Sequence, residues 1–95
     1  MNLSSHHMEE LYRFRQFTIQ CLSPQQNRVL QIMATEGLPH KQVAQIISRD
    51  IKTVEKVVTI ITKKYRDFYG SPEQNASFRR IQSRAAYYYF LKDLL

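Results

Sequence analysis

Lys52, Lys56, Thr59 and Lys63 follow one another at steps of four, three and four residues. On a helix turning about 100° per residue, these four side chains share one side. Val54, Val57, Val58, Ile61, Tyr65 and Phe68 gather within about 60° of the opposite direction. Such a helix can anchor itself by its apolar back while long cations and a hydroxyl reach a polyanion, and on duplex DNA they would enter the major groove. An ordinary surface helix presents the same pattern, because lysine is a good helix former and any surface helix has a polar outer side. Flanking cations extend the first reading: Lys63, Lys64 and Arg66 close the segment, and Arg79, Arg80 and Arg84 follow. Phosphate contact suits both groups. The alternatives are pairing with a helix C-terminus for the first group and a solvated face for the second.

No other residues have the spacing of reactive or metal-binding chemistry. His6, His7 and His40 have no Cys or acid at ligand spacing, and the single Cys21 excludes both an internal disulfide and a cysteine cluster for zinc. Cys21 is expected to be buried among Phe17, Ile19 and Leu22. With only two glycines there is no phosphate-cradling loop, and no Ser/His/Asp order suggests a triad. Asn75-Ala76-Ser77 fits a glycosylation sequon but lacks a secretory context. The expectations are therefore no enzyme, no metal, no cofactor and no evident small-molecule ligand.

The chain has 95 residues, which suits one domain with a modest core. Fourteen Lys and Arg against eight Asp and Glu give a formal charge of +6, favouring an anionic partner, nucleic acid before membrane. No apolar run approaches the roughly 18 residues of a membrane span, and no signal peptide opens the chain. A soluble, cytoplasmic protein is expected.

Helical periodicity runs almost throughout, so the fold class expected is all-α, with about five helices in a single domain over 1–95. A first helix over 5–20 would be capped by Ser5, with Met8, Leu11, Tyr12 and Ile19 on one face and Phe14 and Phe17 beside it. Ser23-Pro24, with Gln26 at capping-box spacing, opens a second helix that Gly37 ends. A third runs from about Pro39 to Ile47. Asp50 caps a fourth that persists to Asp67 or Phe68 and breaks at Tyr69-Gly70-Ser71-Pro72. A last helix is expected over about 72–94, with Phe78, Ile81, Ala85, Tyr88 and Leu95 on one face. Tyr87-Tyr88-Tyr89-Phe90-Leu91 forms no stacking platform there, since consecutive rings point about 100° apart. Rings all around a helix suit an extended core or a subunit contact, and Phe14, Phe17, Tyr87, Tyr88, Phe90, Leu91 and Leu94 are the expected dimer interface.

The third and fourth helices fit a helix-turn-helix. Ala44 is small where the helices would cross, Ser48 stands in the turn where Gly would be ideal, and Val54 is an early apolar anchor. Arg49 holds a place where an apolar residue is usual, a role left to Ile51. In this frame residues 22–65 resemble the DNA-binding domain of the LuxR/FixJ/GerE family. The matching pieces are Leu22-Ser23-Pro24, Val29-Leu30, Glu36-Gly37-Leu38, Lys41-Gln42-Val43-Ala44 and Lys52-Thr53-Val54, without a gap. Sigma-factor region 4 shares much of this pattern. The resemblance implies a recognition helix from Asp50 onward, Lys41 and Thr53 near phosphates, and pairing of subunits through a last helix.

The chain also departs from that family. Glu55 replaces a usual Lys or Arg, Val57-Val58-Thr59-Ile60 replaces the frequent His-Arg-Ser-Asn, and Gln26 and Arg28 replace acids. Glu55 repels phosphate but can accept from a cytosine amino group. Ile60 lies off the apolar stripe and is expected to be exposed. The reading is a homodimeric transcriptional regulator, of a bacterial or phage kind, that reads duplex DNA. Its expected contacts are Lys41, Lys52, Thr53, Glu55, Lys56, Thr59, Lys63 and Lys64. The alternative is a module of the same fold that binds RNA polymerase or another regulator.

Overall fold

The computed structural model describes residues 4–95, which form five α-helices and no strand among them. They are α1 (Ser5–Cys21), α2 (Pro24–Glu36), α3 (His40–Ile46), α4 (Ile51–Tyr69) and α5 (Phe78–Leu91). The all-α class follows from the local signals. At α2 the Ser23 side chain accepts from the Gln26 N–H while the Gln26 side chain accepts from the Ser23 N–H, satisfying two otherwise orphaned donors. Gly37 ends α2 at φ 62°, and its N–H donates to the Met33 carbonyl.

Three boundaries differ from expectation. Ser4, not Ser5, caps α1, accepting from the His7 N–H. α4 continues to Tyr69. The last helix is divided: Glu73–Asn75 form a 3₁₀ turn, α5 restarts where the Ser77 hydroxyl accepts from the Arg80 N–H, and Lys92–Leu94 tighten into a second 3₁₀ turn.

The core draws on every helix. Leu11, Phe14 and Phe17 of α1 meet Val29, Leu30 and Met33 of α2, Val54, Ile61 and Tyr65 of α4, and Ile81, Ala85 and Tyr88 of α5. Phe17, fully buried, stands edge-on to Tyr65 at 5.6 Å between ring centres. This is a favoured geometry for rings whose faces are negative and edges positive. α3 adds Val43 and Ala44, with Ile47 half-buried.

The buried face of α1 is Leu11, Phe14, Phe17 and Thr18, while Tyr12 and Ile19 turn outward. Four residues expected at a dimer interface are thus inside the chain: Phe14, Phe17, Tyr88 and Leu91 are all buried. Phe14 lies 5.3 Å from the Tyr88 ring between α1 and α5, while Phe17 packs against Tyr65, Phe68 and Tyr69 of α4. Tyr87, Phe90 and Leu94 remain exposed, Phe90 at 83%. Tyr89 is half-buried against the core beside Tyr88, and that burial pushes its hydroxyl up to about 12. Cys21 is half-buried rather than enclosed. Among the described residues, no helix is long and apolar enough to cross a membrane.

Candidate nucleic-acid interface

Four residues, 47–50, separate α3 from α4. The Arg49 N–H reaches back to the Ala44 carbonyl at 2.9 Å, and Ser48 adopts φ 57°. A left-handed residue reverses the chain this tightly, and at a residue with a Cβ it costs about 1–2 kcal/mol. Ala44, 5% exposed, fits at the contact of α3 with α4 because its side chain is a single methyl. Asp50 then starts α4: its Oδ1 accepts from the Thr53 hydroxyl at 2.7 Å and from the Thr53 N–H at 2.8 Å. The hydroxyl bond first, and the N–H bond second, hold the Asp50 carboxyl below its ordinary value.

Behind the turn, Val54, Val57, Ile61 and Tyr65 are buried along one face of α4. Lys52, Glu55, Lys56, Thr59 and Lys63 are exposed on the other side. From Lys52 to Lys63 the stripe runs about 16 Å along the axis at ~1.5 Å per residue. Three lysines and one glutamate leave it cationic. The Thr59 hydroxyl donates to the Glu55 carbonyl at 3.1 Å, leaving its lone pairs outward. Lys41, exposed in the first turn of α3, is also free of ion pairs among the described residues.

Two expected contacts are otherwise engaged. Lys64 lies about 70° from the middle of the apolar face, not on the outer stripe. Its Nζ donates to the Cys21 carbonyl at 2.7 Å and to Gln26 Oε1 at 2.8 Å, fastening α4 to the junction of α1 and α2. Thr53 is half-buried and its hydroxyl proton is committed to Asp50.

The cationic shoulders divide the same way. The Arg66 Nε donates to the Ala76 carbonyl at 2.9 Å. Arg80 grips the buried Glu73 with contacts of 2.7 to 2.9 Å, and Arg84 approaches the same carboxylate at 3.5 Å. Only Lys63 and Arg79 of that set make no internal hydrogen bond or ion pair among the described residues. Glu73, which the sequence did not single out, also accepts from the Tyr65 hydroxyl at 3.2 Å. Burial pushes Tyr65 up to about 12, keeping it a donor. The Arg80 bond is the main cause holding Glu73 below the ordinary carboxylate range. A carboxylate between two arginines would have been the sequence-level clue, but Glu73 lies in a segment read only as a break.

The apolar fringe also departs from expectation. Ile60 and Val58 are half-buried, whereas Ile46 and Ile51, at the two ends of the turn, are 42% and 44% exposed. Ile51 therefore does not supply the apolar contact that Arg49 lacks. No family model, curated protein or solved structure matches the chain.

Proposed function

We propose that this chain is a helix-turn-helix transcriptional regulator that binds duplex DNA as a homodimer, with α4 in the major groove. One observation carries the reading: the exposed Lys52–Lys56–Thr59–Lys63 stripe stands directly behind a buried line of Val54, Val57, Ile61 and Tyr65 on a helix reached by a four-residue turn. A rigid apolar back fixes where the cations project, and the major groove accepts such a helix. Lys41 is the further cation available to phosphates. The resemblance of residues 22–65 to the LuxR/FixJ/GerE pattern supports the same assignment. For pairing, Tyr87 and Phe90 on α5 and Leu94 in the 3₁₀ turn that follows it are left uncovered. Selection from random-sequence duplexes at two salt concentrations tests this. A palindromic motif recovered at both is expected, and binding that vanishes with salt and yields no motif contradicts sequence reading.

A second reading rests on Ile46 and Ile51. Exposed isoleucines flanking the turn, beside Glu55, suit a protein surface better than a phosphate backbone. On it, the helix pair binds RNA polymerase or another regulator. Retention of duplex binding by Ile46→Ser and Ile51→Ser variants separates the two.

A further inference from the structure

A groove of about 460 Å³ opens between α1 and α5, far along the chain from the α3–α4 turn. Its volume falls within the roughly 300–1,000 Å³ of small-molecule sites. The floor is apolar and rigid: Leu11, Phe14 and Tyr88 line it and are 2%, 3% and 7% exposed. The rim is cationic, with Arg79, Arg80 and Arg84 against Glu10.

These three arginines are not equally engaged. Arg80 is held by Glu73 at 2.7 Å. Arg84 has looser contacts, 3.5 Å to Glu73 and 3.9 Å to Glu10, and its guanidinium lies over the Tyr69 ring at 5.3 Å. Arg79 makes no hydrogen bond or ion pair among the described residues. Tyr69, also in the groove wall, has a hydroxyl shut off from solvent with no hydrogen-bond partner. One unpaired guanidinium, that of Arg79, thus stands beside an apolar floor.

We propose that this groove binds a small amphipathic anion: an apolar, preferably aromatic, body bearing one carboxylate or sulfonate. The anionic group matches the unpaired Arg79, with Arg84 close by, and guanidinium–carboxylate pairs are strong and oriented. The body would lie against Phe14 and Tyr88, where ring edges and faces give aromatic partners a preferred geometry. A nucleic-acid backbone fits less well, because it offers no apolar group to a concave floor. The site stands on the groove alone and holds whether or not α4 contacts DNA.

The test uses the full chain and two fluorescent probes, 8-anilinonaphthalene-1-sulfonate and its uncharged counterpart N-phenyl-1-naphthylamine. The sulfonate is expected to bind at a single site and at least about tenfold more tightly than the uncharged probe, a difference an unpaired guanidinium readily supplies. Arg79→Glu reverses the free charge, and Ser83→Trp, at an exposed helix position, fills the groove from its rim. Each is expected to weaken the sulfonate at least about tenfold while circular dichroism stays unchanged. Equal binding of both probes, sulfonate binding that survives both variants, or no binding at all overturns the proposal. So does a dimer that excludes the probe until diluted to monomers, which would give the groove to a second copy.

Discussion

The Lys64 ammonium donates to the Cys21 carbonyl at 2.7 Å, across 43 residues of sequence. It completes the C-terminus of α1, where the last carbonyls have no partner within the helix, and it also holds Gln26 of the α2 capping box. Lys64→Met keeps the aliphatic stem but removes the donor. The expected loss is about 1–3 kcal/mol of unfolding free energy in urea, the cost of leaving partly buried acceptors unpaired. Duplex affinity should be unchanged, since the ammonium of this half-buried lysine is held by Cys21 and Gln26. A variant of full stability with weakened DNA binding would return Lys64 to the outer surface.

Ser48 gives a stability prediction of the opposite sign. At φ 57° a Cβ is strained, and glycine relieves it. Ser48→Gly should raise the unfolding free energy in urea by up to about 1 kcal/mol after the entropy glycine adds to the unfolded chain. Ser48→Val should lower it, because β-branching makes the left-handed region worse.

The Glu73 carboxylate predicts acid sensitivity. Its folded pKa lies below the ordinary value of 4.5, chiefly through the Arg80 bond, so it takes up its proton later in the folded state than in the unfolded one. That contribution is fully present above the unfolded value and is lost as pH falls through the folded one. Glu73→Gln should flatten this acid limb and cost about 1–3 kcal/mol at neutral pH, because it removes the negative charge and one of the two oxygens that Tyr65, Arg80 and Arg84 share. Arg80 is half-exposed, with a side chain 54% accessible, so water moderates the loss. Chemical unfolding of both proteins across pH 3 to 7 reads the difference (about 3 to 7 spans the unperturbed carboxylate titration).

Phe90 is 83% exposed, and removing it should leave the monomer's stability within about 0.5 kcal/mol. Phe90→Asp should nonetheless shift sedimentation equilibrium toward monomer and weaken binding to a two-half-site duplex more than to a single half-site. An unaltered monomer–dimer balance would remove α5 from the pairing surface.

What the sequence disclosed divides along the range of the interactions. The Ser23–Gln26 cap, the Gly37 stop, the Asp50 cap and the left-handed demand at Ser48 are settled within a few residues, so residue type sufficed. The buried face of α4 was equally readable from its period. The partners of Lys64, Arg66, Arg80 and Arg84 were not, because each is fixed by which helices pack together. Charge alone placed Lys64 on the outer surface, while packing drew its ammonium to Cys21 and Gln26 at the junction of α1 and α2. The apolar residues failed for the same reason: Phe14, Phe17, Tyr88 and Leu91 looked like more apolar surface than one small core needs, yet all four are buried in it, Phe14 against Tyr88 of α5 and Phe17 against Tyr65 of α4. The α1–α5 groove depends on that packing too and leaves no mark in the sequence.

If α4 reads DNA, its outer stripe meets phosphates and bases. The most direct test is the slope of log affinity against log salt for a duplex, measured by fluorescence anisotropy on the wild type, on Lys63→Ala, and on Lys52→Ala with Lys56→Ala. Removing one lysine–phosphate pair should lower the slope by about 0.9. A drop of about that size is expected for Lys63→Ala, and for the double variant a larger drop together with poorer discrimination between duplex sequences. Identical slopes and identical affinities in all three proteins would contradict DNA binding through this face of α4.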